Sequence, residues 1–331
     1  MAKFLGVYNA SHTPFCFAPP EAWDEMRAAR QLRPDVPVDD LAENRRKYER
    51  LQQALATLRA RIAAAGPDVV VVFASDQLES FDFRNFPSIA VYAGEWFEGR
   101  SSVTAAPRGE PAGAPAHPAK RRLAGHPEFG ARILCGLMSR GFDPAFCMDT
   151  PNPERGVAHG LIWKAESMTG LTTPIVPVFL NCHYAPQITA GRCYELGKAL
   201  RQIIDEDPSD LRVAVVGTGG LWHTPGAKEA YLDEDFDRTM LACLEAGDIA
   251  GMAAHFDRYQ VPPGDVSQSP SGAGREVTGM PAATGPKGGT RQFCNWIAAA
   301  ATAEGHRTTV LDYVPVYASP IGAAFACCEI V

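Results

Sequence analysis

No stretch of this 331-residue chain approaches the ~20 consecutive apolar residues of a membrane span, and the opening Met1-Ala2-Lys3-Phe4-Leu5-Gly6-Val7-Tyr8 lacks the long apolar core of a signal peptide. A cytoplasmic protein is therefore expected, with no membrane contact. Positive charge is also short. The 31 Lys and Arg against 38 Asp and Glu leave a net charge of −7, which speaks against a nucleic-acid footprint. The nine cysteines are scattered without a CxxC pair, so neither a zinc ribbon nor a disulfide framework is indicated, and reduced thiols are expected. There is no Walker loop, no HExxH and no GxSxG nucleophile motif. Gly217-Thr218-Gly219-Gly220 lacks the GxGxxG spacing of a dinucleotide-binding turn. No internal repeat is found.

What remains is the composition of a soluble globular protein, with 46% apolar and 21% charged residues. Residues 3–9 read as a first strand. Asp39 or Asp40 can cap a long helix whose Leu41, Tyr48, Leu51, Leu55, Leu58 and Ile62 recur at helical spacing, and Gly66-Pro67 stops it. Asp68–Ala74 then reads as a fully buried strand of a parallel sheet. Further strands are expected at 174–180, 211–217, 308–317 and 322–329, and helices at 127–140, 191–205, 234–254 and 290–304. The alternation predicts an α/β fold: one catalytic-type domain over 1–331, with a central mixed β-sheet flanked by helices. The Pro/Ala/Gly-rich stretch at 99–122 and the Pro/Gly/Ser-rich stretch at 261–289 are expected to be loop excursions.

Several polar groups fall at the ends of the expected strands, where α/β sheets bind ligands. His12 follows the first strand in Ser11-His12-Thr13-Pro14. Asp76, Gln77 and Glu79 follow the valine-rich strand, where Asp76 with Glu79 equally reads as a capping box. His183 follows the strand at 174–180. His223 ends the run Val213 to Trp222 through three glycines, a position suited to acid–base work near neutrality or to a structural turn cap. His159 lies in a loop beside Gly160. His126 reads as part of a helix start, and His117, His255 and His306 as solvent-facing.

Taken together, Ser11-His12-Thr13-Pro14, the strand and turn through Asp76, Gly125-His126-Pro127-Glu128, Ala158-His159-Gly160, Gly217–His223 and Ser319-Pro320-Ile321-Gly322-Ala323 run in an order that resembles the class III extradiol ring-cleavage dioxygenases, of the protocatechuate 4,5-dioxygenase β-subunit type. The resemblance implies a non-haem Fe(II) oxidoreductase of aromatic catabolism, with iron held by two histidines and a glutamate. The first ligand falls on His12. The second histidine falls where this chain has Gln77, and the glutamate, four residues before Trp296, falls on Gln292. Asp76 or Glu79 are the available substitutes. The family's acid–base histidine falls on His223 and a further pocket histidine on His159. Arg155, Arg291 and His183 are candidates for binding the substrate.

The expected function is that of an extradiol-dioxygenase-family enzyme acting on a small aromatic, catechol-like or enolic acid, with His223 as general acid/base. Because two expected ligands are amides, a metal-independent proton-transfer enzyme on the same fold (a hydrolase, decarboxylase or tautomerase) with no cofactor is the alternative. A non-catalytic partner subunit of an active homologue is a third reading. A homo-oligomer is expected, with a dimer as the default.

Overall fold

The valine-rich strand organises the molecule. In the computed structural model, which describes residues 1–100, 120–170, 172–224, 227–265 and 284–330, it is β2 (Val69–Ala74), buried along its whole length. Val69, Val71 and Phe73 enter one apolar core, while Val70, Val72 and Ala74 enter another on the opposite face. Alternation of side chains across a strand, with both faces covered, requires this uninterrupted apolar run. Each buried valine contributes about 1.5–3 kcal/mol from the area it removes from water.

β7 (Ile175–Leu180) and β8 (Arg212–Gly217) flank β2 in parallel, and β1 (Lys3–Ala10) continues in parallel on β8. The hairpin of β9 (Thr309–Val316) and β10 (Ile321–Glu329) adds antiparallel to β1. On the other side β3 (Ile89–Tyr92) pairs antiparallel with β7, and β6 (Ala145–Cys147) pairs parallel with β3. The resulting order is β6-β3-β7-β2-β8-β1-β10-β9. This is the mixed central sheet flanked by helices that the sequence predicts. The strands β3 and β6 were not anticipated: they are too short to display a period and lie at or near one edge of the sheet.

On one face pack α3 (Pro127–Met138), α5 (Ala190–Glu206), α6 (Glu234–Ala246), α7 (Ile249–Arg258) and α8 (Phe293–Ala301). The other face is covered by α1 (Trp23–Ala28), α2 (Leu41–Ala65) and α4 (His159–Lys164). Asp40 is the residue that caps α2, accepting from the Glu43 amide at 2.7 Å, and Gly66 closes it in the left-handed region at φ 58°. Asp39 instead pairs with Lys47 at 2.6 Å. His126 caps α3 by accepting from the Phe129 amide. The single helix expected over 234–254 is two. Gly247 ends α6 at φ 75°, and Asp248 starts α7 by accepting from the Gly251 amide at 2.8 Å. The helix expected over 290–304 opens as a 3-10 turn, Gly288–Gln292, before α8.

Of the expected excursion at 99–122, residues 101–119, His117 among them, lie outside the described residues. The flanks form a hairpin of β4 (Trp96–Arg100) with β5 (Lys120–Ala124). Of the excursion at 261–289, residues 266–283 lie outside the described residues. His255 is half-buried and stacked on Phe236 rather than solvent-facing, because α7 turns its inner edge onto α6. All nine cysteines are free thiols. No helix among the described residues is long and apolar enough to cross a membrane.

Candidate active site

The four parallel strands β1, β2, β7 and β8 end on the same side of the sheet, and each end delivers polar residues. His12 follows β1, Asp76 to Glu79 follow β2, His183 follows β7, and the glycine turn to His223 follows β8. A cleft of about 460 Å³ opens there, lined among others by His12, Gln77, Glu79, His159, His223 and Gln292. A crevice outside the carboxyl ends of parallel strands is where α/β sheets place ligands.

His223 is held through its backbone and its ring. Its amide donates to Thr290 Oγ1 at 3.0 Å, and its carbonyl accepts from the Thr290 amide at 2.9 Å and from Thr290 Oγ1 at 3.1 Å. Ring Nδ1 lies 3.0 Å from the Leu221 carbonyl. A carbonyl only accepts, so this partner assigns the proton to Nδ1 and leaves a lone pair on Nε2. Burial pushes the imidazole down to about 4, against the Leu221 hydrogen bond and with help from the Arg30 charge. Burial thus favours the neutral form of the His223 ring.

Two glycines make room for this ring. A Cβ on Gly289 would lie 2.0 Å from His223 Nε2, and one on Gly220 would lie 2.9 Å from Nδ1. Gly289 belongs to the stretch expected to be a loop excursion, yet it packs directly against the His223 ring. Gly289→Ala is expected to force the imidazole out of its seat and to lower turnover by about 10²-fold, the loss typical of an angstrom-scale misplacement. A crystal structure of the variant with the ring unmoved would refute that expectation.

His159 is buried beside a carboxylate. Glu79 Oε1 accepts from its amide at 3.1 Å and makes a short hydrogen bond to Nδ1. Burial alone would lower His159, but Glu79, with Asp76 behind it, carries it above the ordinary histidine value. Burial raises Glu79 in turn, and the His159 charge and hydrogen bonds more than reverse this. The edge of His159 meets His12, with ring centroids 5.0 Å apart and planes at 74°.

Asp76 caps the turn, as its capping-box spacing to Glu79 allows: its oxygens accept from the amides of Glu79 at 3.0 Å, Ser80 at 2.7 Å and Phe81 at 3.4 Å. Burial, and then the Glu79 charge, push it up to about 7. His183 does not line the cleft but stands behind Gln292, whose Nε2 lies 3.3 Å from His183 Nε2. Burial, with the His223 and His159 charges, pushes His183 down to about 3, so its ring nitrogen accepts from the amide. The other end of that amide, Gln292 Oε1, accepts from the Gly220 amide at 3.1 Å.

Neither arginine singled out in the sequence reaches the cleft. Arg155 is exposed and donates to the Leu78 carbonyl. Arg291 is 1% exposed and donates to the carbonyls of Ile188 at 2.6 Å, Thr284 at 3.0 Å and Pro286 at 3.2 Å, tying the segment before α8 to the body. The cations in the lining are Arg30 and Lys228, which no sequence pattern marked.

The donor set does not fit the Fe(II) that the resemblance implies. That arrangement needs two imidazoles and a carboxylate. At the matching positions stand His12 and two neutral amides, and the Gln292 amide is engaged at both ends. Glu79 faces His159 and the Gln77 amide, and Asp76 faces its turn. Among the described residues no three His, Cys, Asp or Glu side chains converge to hold a metal ion.

The family model described as the catalytic LigB subunit of aromatic ring-opening dioxygenase matches residues 34–319. A gallate dioxygenase of Pseudomonas putida is 32% identical over 127 residues, 37% of this chain and 36% of that protein. A 2,3-dihydroxyphenylpropionate/2,3-dihydroxicinnamic acid 1,2-dioxygenase of Paraburkholderia xenovorans is 30% identical over 176 residues, 53% of this chain and 49% of that protein. The match thus spans half or less of the length of these curated relatives. A solved Escherichia coli K12 protein, JW3007, superposes with a TM-score of 0.45 at 13% identity, covering 97% of this chain and 99% of that one.

Proposed function

We propose that this chain, which belongs to the LigB family of aromatic ring-opening dioxygenases, acts on a small aromatic or enolic carboxylic acid by proton transfer between His223 and His159. The observation that carries this reading is that two imidazoles lining one cleft sit in opposed environments: burial pushes His223 down to about 4, and the hydrogen-bonded Glu79 carboxylate holds His159 above its ordinary value. Groups whose environments drive their pKa values apart are the usual base and acid of a site. His223 Nε2 takes the proton of a phenol or enol hydroxyl. His159, whose Nδ1 faces Glu79, returns a proton from Nε2 to the intermediate. Tautomerisation, hydrolysis and decarboxylation can each use such a pair, and none needs the absent carboxylate ligand.

The relatives favour a second reading, O₂-dependent opening of a catechol-type ring, since both are dioxygenases by name. Iron analysis of anaerobically purified protein, with O₂ uptake measured on a catechol, separates the two. Less than stoichiometric iron and no uptake are expected; stoichiometric iron with catechol-dependent uptake would end the metal-independent reading. Gln77→His combined with Gln292→Glu is expected to raise Fe(II) affinity by about 10-fold or more, as a neutral amide gives way to imidazole and carboxylate. An unchanged affinity would mean that these positions are not the family's ligand positions.

A further inference from the structure

We propose that Arg30 and Lys228 form a carboxylate-binding subsite at the mouth of the cleft, which selects anionic substrates. The proposal rests on the acid-substrate reading above and names the residues that would enforce it.

The placement comes from the backbone. Leu32 and Ala230 form a parallel bridge, with the Ala230 amide donating to the Gln31 carbonyl at 2.9 Å and the Arg33 amide to the Ala230 carbonyl at 3.1 Å. Arg30 and Lys228 each stand two residues before the bridged pair. Arg30 lies in the bend after α1 and Lys228 in the turn before Ala230, and both line the cleft together with Leu32 and Ala230.

The segment carrying Arg30 is anchored on both sides. Arg27 donates to the carbonyls of Tyr317 at 2.7 Å and Val36 at 3.0 Å. Arg33 pairs with Asp265 at 2.9 Å and lies 3.6 Å over the Tyr231 ring.

Charge singles the pair out. The protein matches many of its arginines to carboxylates, among them Arg33, Arg50, Arg132 and Arg201. Arg30 and Lys228 make no side-chain hydrogen bond or ion pair among the described residues, and both line the cleft. The carboxylate in the described lining is Glu79, which faces His159. The cleft therefore carries two uncompensated positive charges in a chain of net charge −7. Such a focus of positive potential raises the local concentration of anions. A guanidinium matches a carboxylate with two parallel hydrogen bonds, and the lysine adds a mobile point charge. The Arg30 charge is felt at His223, so the subsite lies near the proposed base.

The test is calorimetric titration of the full chain with 3,4-dihydroxybenzoate, catechol, benzoate and benzyl alcohol, repeated on Arg30→Met/Lys228→Met. Wild-type protein is expected to bind each acid about 10- to 100-fold more tightly than its uncharged counterpart, the range of one or two charge-assisted hydrogen bonds. The double variant should erase that preference while its melting temperature stays within a few degrees and its affinity for catechol changes by less than about threefold. Acid preference that survives in the variant would overturn the proposal, as would equal binding of acids and neutrals by the wild type. Failure of every carboxylate probe to bind would also overturn it. Benzoate binding that is lost in the variant, with no binding of either dihydroxy ring, would sustain the subsite and instead defeat the catechol-like reading.

Discussion

Replacing His223 with asparagine is expected to lower kcat by about 10²- to 10⁴-fold, the contribution of a positioned general base. The asparagine amide can still reach towards the Leu221 carbonyl that now accepts from Nδ1, but nothing replaces Nε2. Backbone contacts to Thr290 do not involve the side chain of residue 223, so the loss of stability should stay within about 1 kcal/mol. The assay is solvent deuterium incorporation into enolisable carboxylic acids. A base works only when unprotonated. With His223 pushed down to about 4, activity should hold from neutrality down to that region and fall below it. Titration of the 223 imidazole by NMR checks the value without any substrate. A midpoint near 6.5 would remove the argument that burial sets the base, and full activity in the variant would remove its role.

The second large effect is expected from Glu79→Gln. The amide keeps the shape and can still meet His159 but loses the negative charge, which leaves burial as the dominant influence on the ring. His159 should then fall below its ordinary value and become neutral at pH 7, with turnover reduced by about 10²-fold. The alkaline limb of the activity profile should move to lower pH, because the acid loses its proton earlier. Stability carries the same signature. The raised His159 contributes stability that is complete below its unfolded value of 6.5 and is lost as pH rises through its folded value. The depressed Glu79 contributes stability present above its unfolded value of 4.5 and lost as pH falls through its folded value. The difference in melting temperature between wild type and variant should therefore be largest between those limits. A difference independent of pH would mean that the pair is not ionised.

The match over residues 34–319 agrees with what the ordered motifs resemble, while the ligand positions depart from the donor set expected of that likeness. The departure is physically coherent. Gln292 bridges the Gly220 amide and the His183 ring, so the position where the resemblance leads one to expect a ligand links the turn after β8 to the loop after β7. A carboxylate there could accept from the glycine but could not donate to a neutral imidazole. The amide suits a site in which His183 is kept unprotonated.

The expected long helix over 234–254 shows where reading by period ends. Its apolar spacing continues across the break, but Gly247 and Asp248, a left-handed cap followed by a side-chain cap, turn one helix into two. The Gly-Asp pair was the available signal. Nothing comparable marked β3 and β6, whose three or four residues display no repeat.

By itself the chain determined the alternation of strands and helices, the buried parallel centre, and the presence of His12, His159 and His223 with amides at 77 and 292. These are matters of residue type and near-neighbour spacing, and hydrophobic period and strand-end position encode them directly. Only the tertiary structure decided the pairings: Glu79 with His159, Gln292 with His183, Gly289 against His223, and Arg30 with Lys228 in the lining of one cleft. Each joins segments roughly 65 to 200 residues apart, brought together by packing of strands and helices that no local pattern registers. For the same reason Arg155 and Arg291, attractive as isolated cations, lie at the surface and in a carbonyl cage, while an arginine in an unmarked loop faces the cleft.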